Sequence, residues 1–183
     1  MADIQPGGLS VVIGCGMVGQ LAIVAARSLG AEELVAVDPD PQRRQQAAEL
    51  GAVAVAPEDA LAEVHSRTAG RGADAVMELV GLPAAQALAY QVMRPGGVMS
   101  VIGCHCTPDF AFSPVDAYDK NLTYRTGRCP ARYYMERLAG RVAAGEFDLS
   151  SMITHHFSID DGVKAYDVFA NHRDGCRKAV LLP

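Results

Sequence analysis

The chain has 183 residues, half of them apolar, with a formal net charge of -5 and five cysteines. This length can bury a substantial core, and the composition is that of a globular protein. The acidic balance, without any long basic run, argues against nucleic acid or anionic lipid as a partner, and no apolar stretch reaches the length of a membrane span.

The first predicted elements are a strand, a glycine-rich turn and a helix. A buried strand is predicted over residues 9–13, the sequence GCGMVG follows at 14–19, and a helix is predicted over 17–29. A second strand over 34–37 leads directly into Asp38, which lies nineteen residues after the last glycine. This spacing is that of a dinucleotide-binding fingerprint in a strand–helix–strand unit.

Each position of the glycine turn has a physical role in such a fingerprint. Gly14 permits the sharp turn, Gly16 lets the backbone approach a pyrophosphate, and Gly19 lets the helix pack closely on the strand. The amides of Met17 and Val18, at the positive end of the helix, are then free to donate hydrogen bonds to the phosphates. We therefore expect these five residues to bind the cofactor.

Asp38 determines which cofactor is expected. A carboxylate after the second strand can accept hydrogen bonds from both hydroxyls of the adenosine ribose, and its charge repels the 2'-phosphate of NADP. The predicted cofactor is NAD. A methyltransferase-type fold also combines a glycine-rich first turn with an acid after the second strand, so S-adenosylmethionine is the alternative ligand.

Strands and helices continue to alternate along the chain. A helix capped by Asp40, with Pro41 in its first turn, is predicted to end at residue 50. The later predicted strands cover residues 52–55, 75–80, 98–102 and 122–126, with helices at 59–68 and 83–93 and a loop at 104–120. The strands are apolar throughout, which indicates a parallel sheet covered on both faces. The predicted fold is α/β, a doubly wound parallel Rossmann sheet of about six strands.

A tail follows that this sheet does not require. It is predicted to contain a helix over 131–144, an extended run over 152–159, a helix with Asp160 as its N-cap, and a last strand over Ala179–Leu182. The turn at residues 145–148 is the best candidate for a boundary. We therefore expect one domain over 1–148 and a separate tail over 149–183.

The cysteines and histidines do not form a recognisable metal site or disulfide framework. An odd number of scattered cysteines suits a reducing compartment, and the amino terminus lacks a signal-peptide pattern, so a cytoplasmic protein is expected. Cys104, His105 and Cys106 are spaced too tightly for the usual zinc clip. His155 and His156 would point to opposite faces of a strand. No metal-binding residue is predicted.

Several segments together carry a family resemblance. They are VVIGCGMVG, VDPDPQRRQQAAELGA, MELVG, GGVMSVIG, ITHHFSIDDGVKAYDVF and RKAVLLP. With them, the chain resembles the cofactor-binding half and the C-terminal tail of zinc-type medium-chain alcohol dehydrogenases. The segment NLTYRTGRCPARYY is most similar to the formaldehyde and threonine dehydrogenase-like branches.

This resemblance implies further cofactor contacts. Arg43 would lie beside the adenosine ribose, and Lys178 would reach the pyrophosphate. Leu79, Val80 and Ile102 would line the dinucleotide crevice with apolar side chains. It also implies a homodimer paired through the edge of the sixth strand.

The resemblance implies hydride transfer between an alcohol or aldehyde substrate and NAD in the intact enzyme. In that family a zinc ion held by a separate N-terminal domain binds the substrate, and no segment of this chain matches that domain. The tail over 149–183 would belong to the zinc-binding lobe. We therefore expect this chain to bind NAD but to be inactive alone, with no catalytic residue of its own. The alternatives are a stand-alone, non-catalytic NAD-binding module and an S-adenosylmethionine-dependent methyltransferase.

Overall fold

Six parallel strands form the main sheet of the computed structural model, which describes residues 1–171 and 173–183. The strands are β1 (Leu9–Ile13), β2 (Glu33–Val37), β3 (Val53–Val55), β4 (Ala73–Glu78), β5 (Met93–Val101) and β6 (Thr123–Thr126). Their spatial order is β3-β2-β1-β4-β5-β6, so the direction of winding reverses between β1 and β4. This is the doubly wound Rossmann sheet that the sequence predicts, and its crevice lies beyond the carboxyl ends of those two strands.

Helices cover both faces of this sheet. They are α1 (Met17–Ser28), α2 (Pro41–Glu49), α3 (Ala60–Arg67), α4 (Pro83–Val92) and α5 (Pro114–Asp119). Alternate residues of β1 point to opposite faces: Val12 packs with Ile23 of α1, while Val11 packs with Val64 of α3 and Val92 of α4. Burial on both faces explains why the strands are continuously apolar.

The helix signals in the first half of the sequence are confirmed. Gly30, which follows α1 and the capping residue Leu29, has a φ of +93°. At the start of α2 the Asp40 side chain accepts a hydrogen bond from the amide of Gln42 at 2.8 Å, and Pro41 is the first helical residue. These boundaries follow from local backbone chemistry, which is why the sequence predicts them.

Several predicted boundaries are wrong, among them the start of the fifth strand, which lies at Met93 instead of residue 98. The predicted loop over 104–120 contains α5, which Ser113 and Asp116 begin with a reciprocal capping box. The fourth strand ends at Glu78 instead of residue 80, because the amides of Val80 and Gly81 donate to the carboxylate of Glu78 and not to a neighbouring strand. Asp160 is not an N-cap: its amide donates to the Ser158 side chain, within a single turn that precedes the next helix.

A charged cluster lies at the amino-terminal edge of the sheet. Asp74 of β4 accepts a hydrogen bond from the amide of Leu9, the first residue of β1, at 2.9 Å. Arg71 donates to both of its carboxylate oxygens, and Arg94 donates to one of them at 2.6 Å. The hydrogen bonds from Arg71, followed by those from Arg94 and Leu9, hold the pKa of Asp74 well below its usual range.

The chain divides into two compact units, Met1–Cys129 and Pro130–Pro183. The second contains α6 (Ala131–Ala143), α7 (Gly162–Ala170) and a parallel pair of strands, β7 (His155–Ser158) and β8 (Ala179–Leu182). The predicted boundary at 148/149 is of a different kind, because it separates the NAD-binding domain from a tail assigned to the zinc-binding lobe. That assignment stays a prediction. Among the described residues, no helix combines the length and apolar character that crossing a bilayer requires.

Candidate functional site

The glycine turn at the carboxyl end of β1 has the geometry expected of a phosphate-binding loop. Gly14 adopts a φ of +93°, a left-handed conformation that favours glycine. A Cβ atom on Gly19 would lie 1.9 Å from the carbonyl oxygen of Gly14, so α1 can approach the turn this closely only with glycine there. The turn and the first helical residues therefore depend on glycine for two separate reasons, backbone conformation and close packing.

Gly16 differs from these two glycines. Its backbone is extended, with φ -65° and ψ -171°, and a Cβ atom built on it would meet no other atom within 4 Å. The amides of Met17 and Val18 open the first turn of α1, and no side chain of the N-cap residue occupies them. Open space beside an uncapped helix start is where a pyrophosphate is accommodated in dinucleotide-binding folds.

Asp38 joins the glycine turn to the loop that follows β2. One carboxylate oxygen accepts the amide of Cys15 at 2.7 Å, and the other accepts the amide of Asp40 at 2.9 Å, while the residue is only 2% exposed. A carboxylate oxygen can accept more than one hydrogen bond, so these two bonds do not exhaust the acceptor capacity of Asp38. Asp38 thus holds the turn as well as being a candidate cofactor ligand.

Two arginines lie around this carboxylate. The guanidinium of Arg43 comes within 3.9 Å of the Asp38 carboxylate and within 3.9 Å of that of Asp40. Arg44 donates instead to the main-chain carbonyl oxygens of Asp38 and Pro39. Arg43 therefore lies near the predicted ribose position, whereas Arg44 holds the loop by its backbone.

The interior side of the turn is polar and closed to solvent. Gln20 donates from its amide to the carbonyl oxygen of Cys15 at 3.1 Å and to the side chain of Gln46 at 2.8 Å, which ties α1 to α2. Burial, and then the charge of Asp38, raise the pKa of the Cys15 thiol to about 12. Cys15 therefore stays a neutral thiol inside the fold.

The three apolar residues predicted to line the crevice lie at the carboxyl ends of β4 and β5. The amide of Leu79 donates to the carbonyl oxygen of Ile13, which keeps this residue beside β1. Val80 is 43% exposed and Ile102 is 38% exposed, although both are large and apolar. A Cβ atom on Gly14 would lie 2.7 Å from a methyl carbon of Val80, so Val80 directly adjoins the glycine turn.

A buried carboxylate that the sequence analysis did not single out lies between these residues. Glu78, at the end of β4, is fully buried, and one of its carboxylate oxygens accepts the amides of Val80 and Gly81, each at 2.7 Å. Its other oxygen lies 3.0 Å from the Nε2 atom of His105. The signal that could have found it is an ionisable residue within an apolar strand, in MELVG.

The remaining candidate residues lie in the second unit. Lys178 is exposed just before β8, and its carbonyl oxygen accepts the amides of Thr154 and His155. His155 and His156 alternate between half-buried and exposed along β7, in agreement with the prediction that they face opposite ways. Over residues 1–171 and 173–183, no group of three His, Cys, Asp or Glu side chains could hold a metal ion.

Comparison with known proteins identifies relatives along the whole chain. The family described as "Zinc-binding dehydrogenase" matches residues 17–143. An alcohol dehydrogenase of Cupriavidus necator is 34% identical over 100% of this chain and 51% of its own length. An L-threonine 3-dehydrogenase of Bacillus subtilis is 30% identical over 98% of this chain and 52% of its own length.

A solved structure agrees with these sequence matches. The alcohol dehydrogenase TADH of Thermus sp. ATN1 superposes with a TM-score of 0.92 at 32% identity, covering 99% of this chain and 52% of that protein. The chain thus spans about half the length of the relatives it matches.

Proposed function

Because the chain belongs to the zinc-binding dehydrogenase family, we propose that it binds NAD(H) at the carboxyl edge of its six-stranded sheet. The proposal rests on one observation: the glycine turn and Asp38 are linked, because the amide of Cys15 in the turn donates a 2.7 Å hydrogen bond to the Asp38 carboxylate. The turn offers space and free amides for a pyrophosphate, and Asp38 offers a carboxylate for the adenosine ribose.

Different residues around the site are proposed to bind different parts of the cofactor. The amides of Met17 and Val18 and the positive end of α1 favour the phosphates, since the uncapped start of a helix donates hydrogen bonds to anions. Arg43 supports the ribose side. The exposed apolar side chains of Val80 and Ile102 suit the nicotinamide half and exclude water from it.

For the whole protein, we propose an oxidoreductase that transfers hydride between an alcohol or aldehyde substrate and NAD(H). The bound cofactor supplies the hydride acceptor or donor, and this chain supplies its binding and orientation. The described residues do not fit a catalytic zinc ion, because no three metal-ligating side chains converge. No step is therefore assigned to a metal on this chain.

The two alternative hypotheses, a stand-alone NAD-binding module and a methyltransferase, predict different ligands or partners. A stand-alone NAD-binding module would bind NAD(H) as well, and it differs only in having no catalytic partner lobe. A methyltransferase would bind S-adenosylmethionine in preference to NADH, which family membership argues against. Titration of the chain with NADH and with S-adenosylmethionine separates the ligands directly.

The first test concerns cofactor choice at Asp38. Hydrogen bonds from ribose hydroxyls to a carboxylate contribute about 1.5 to 3 kcal/mol, whereas a 2'-phosphate is repelled by it, so NADH should bind at least about tenfold more tightly than NADPH. Asp38→Gly should remove most of this preference. Titration by the fluorescence of the reduced nicotinamide is suitable, since the chain contains no tryptophan.

Asp40→Asn is the matched control for this test. It removes a carboxylate two residues away, and asparagine is an equally good N-cap for α2, so the NADH preference should persist. Equal affinity of the unmodified chain for NADH and NADPH would contradict the assignment of Asp38.

A second test concerns assembly. In the described structure β6 forms one edge of the main sheet and three of its four residues are exposed, so its outer backbone groups can pair with another chain. We expect a homodimer in which two β6 strands pair across a twofold axis. Light scattering should give twice the chain mass at micromolar concentration, and Thr123→Pro should reduce it to that of a monomer. A monomeric unmodified chain would refute this assembly.

A further inference from the structure

We propose that His105 is a positioning residue for the nicotinamide half of the cofactor site, acting through the buried carboxylate of Glu78. This inference rests on the proposed binding of NAD(H) and assigns a role to residues away from the glycine turn. Glu78 ends a central strand and is fully buried, and burial of a carboxylate is costly unless hydrogen bonds satisfy it.

Glu78 fixes the two loops that leave β4 and β5. Its main-chain carbonyl oxygen accepts the amides of Ile102 at 2.8 Å and Gly103 at 3.0 Å. Its side chain accepts the amides of Val80 and Gly81, each at 2.7 Å. One residue therefore sets the direction of both loops at the point where they leave the sheet.

The two loops are also in direct contact. A Cβ atom on Gly103 would lie 2.2 Å from the amide nitrogen of Gly81, and one on Gly81 would lie 2.6 Å from the carbonyl oxygen of Cys104. Backbones this close cannot shift independently, so displacement of one loop moves the other.

His105 provides the remaining partner of the carboxylate. Its Nε2 atom lies 3.0 Å from the second oxygen of Glu78, and its side chain is 18% exposed. Without this contact, that oxygen would lose a hydrogen-bond partner inside the protein, which is costly enough to displace the carboxylate from the amides it holds. The same loop is held again further along, where the amide of Ala111 donates to the side chain of Gln86.

The position of this pair relates it to the nicotinamide half. In a doubly wound sheet the dinucleotide crosses the switch point, so the adenosine lies on the β2 side and the nicotinamide on the side of β4 and β5. The exposed apolar residues there are Val80 and Ile102: the amide of Val80 donates to the Glu78 carboxylate, and that of Ile102 donates to the Glu78 main-chain carbonyl oxygen. Support of Glu78 by His105 therefore shapes the apolar surface that receives the nicotinamide.

The experiment compares the binding of two ligands by three His105 variants and one control variant of the whole chain. ADP-ribose needs only the glycine turn and Asp38, whereas NADH needs the surface at β4 and β5 as well. His105→Leu should bind NADH at least about fivefold more weakly, with a smaller change in nicotinamide emission, while its affinity for ADP-ribose stays unchanged. His105→Asn, too short to reach Glu78, should behave like His105→Leu and guards against a folding defect peculiar to leucine.

A conservative variant shows whether the hydrogen bond to Glu78 or only the size of the His105 side chain matters. His105→Gln places an amide donor close to the original Nε2 position and should restore NADH affinity to within about twofold of the unmodified chain. His65→Leu, which replaces an exposed histidine of α3, is the control and should change neither affinity.

The outcomes separate this inference from the proposed function. Unchanged NADH affinity in His105→Leu and His105→Asn, or an equal loss of NADH and ADP-ribose binding, overturns the role of His105 while NAD(H) binding stands. Failure of the unmodified chain to bind either ligand refutes the proposed function itself. In that case hydrogen exchange at the Val80 and Gly81 amides still reports on the Glu78 link: faster exchange in His105→Leu is expected, and unchanged exchange refutes the link.

Discussion

Gly19→Ala should destabilise the first unit by about 3 kcal/mol and remove measurable NADH binding. The added methyl carbon would lie 1.9 Å from the carbonyl oxygen of Gly14, which is backbone and cannot rotate away. Either α1 moves away from β1 or the glycine turn changes its conformation, and both separate the helix amides from the phosphate position. Urea unfolding and NADH titration of the purified variant measure the two effects.

The same substitution at two other glycines provides the controls. Gly140→Ala in α6 meets no atom within 4 Å and lies inside a helix, so it should leave stability unchanged or raise it by up to about 1 kcal/mol. Gly16→Ala should keep the fold, because its extended backbone suits any residue, yet weaken NADH binding by filling the pyrophosphate space. A stable Gly19→Ala variant with normal NADH affinity would show that α1 does not need this close approach.

Asp74→Ala should lower the free energy of unfolding by about 2 kcal/mol at neutral pH. The substitution leaves the partly buried amide of Leu9 without its acceptor and removes the common partner of Arg71 and Arg94 at the amino-terminal edge of the sheet. Urea unfolding of both proteins gives the difference. Glu63→Ala is the matched control: it removes an exposed pair with Arg67 on α3 and should cost under about 1 kcal/mol.

The effect of Asp74 should depend on pH in a defined direction. Its pKa in the folded protein is lowered by the hydrogen bonds it accepts from Arg71 and Arg94, whereas an unfolded aspartate titrates near about 3.9. The stabilisation is therefore complete above about pH 5 and decreases as the pH falls below about 4. The difference between the unmodified chain and Asp74→Ala should narrow over that acidic range, and a difference that widens instead would contradict the assigned charge state.

The elements of the first unit were predictable because their signals are local. The apolar strand of β1, the cap at Asp40 and the glycine after α1 each depend on a few neighbouring residues, so the sequence specifies them without knowledge of the fold. The short helix α5 was missed although its capping box is equally local, since six residues give too little periodicity to distinguish a helix from a loop.

The spacing between the glycine turn and Asp38 was enough to predict an α/β doubly wound sheet and a candidate cofactor site, because a strand–helix–strand unit of that length returns the chain to the same sheet edge. The sequence could not show that Asp38 binds the Cys15 amide, or that Glu78 binds His105. These partners lie 23 and 27 residues apart, and only the pairing of β1 with β2 and of β4 with β5 brings them within hydrogen-bonding distance. Local chemistry thus determined the elements, whereas tertiary packing decided which groups the buried carboxylates contact, since burial of a carboxylate is a property of the surrounding strands and loops and not of its own segment.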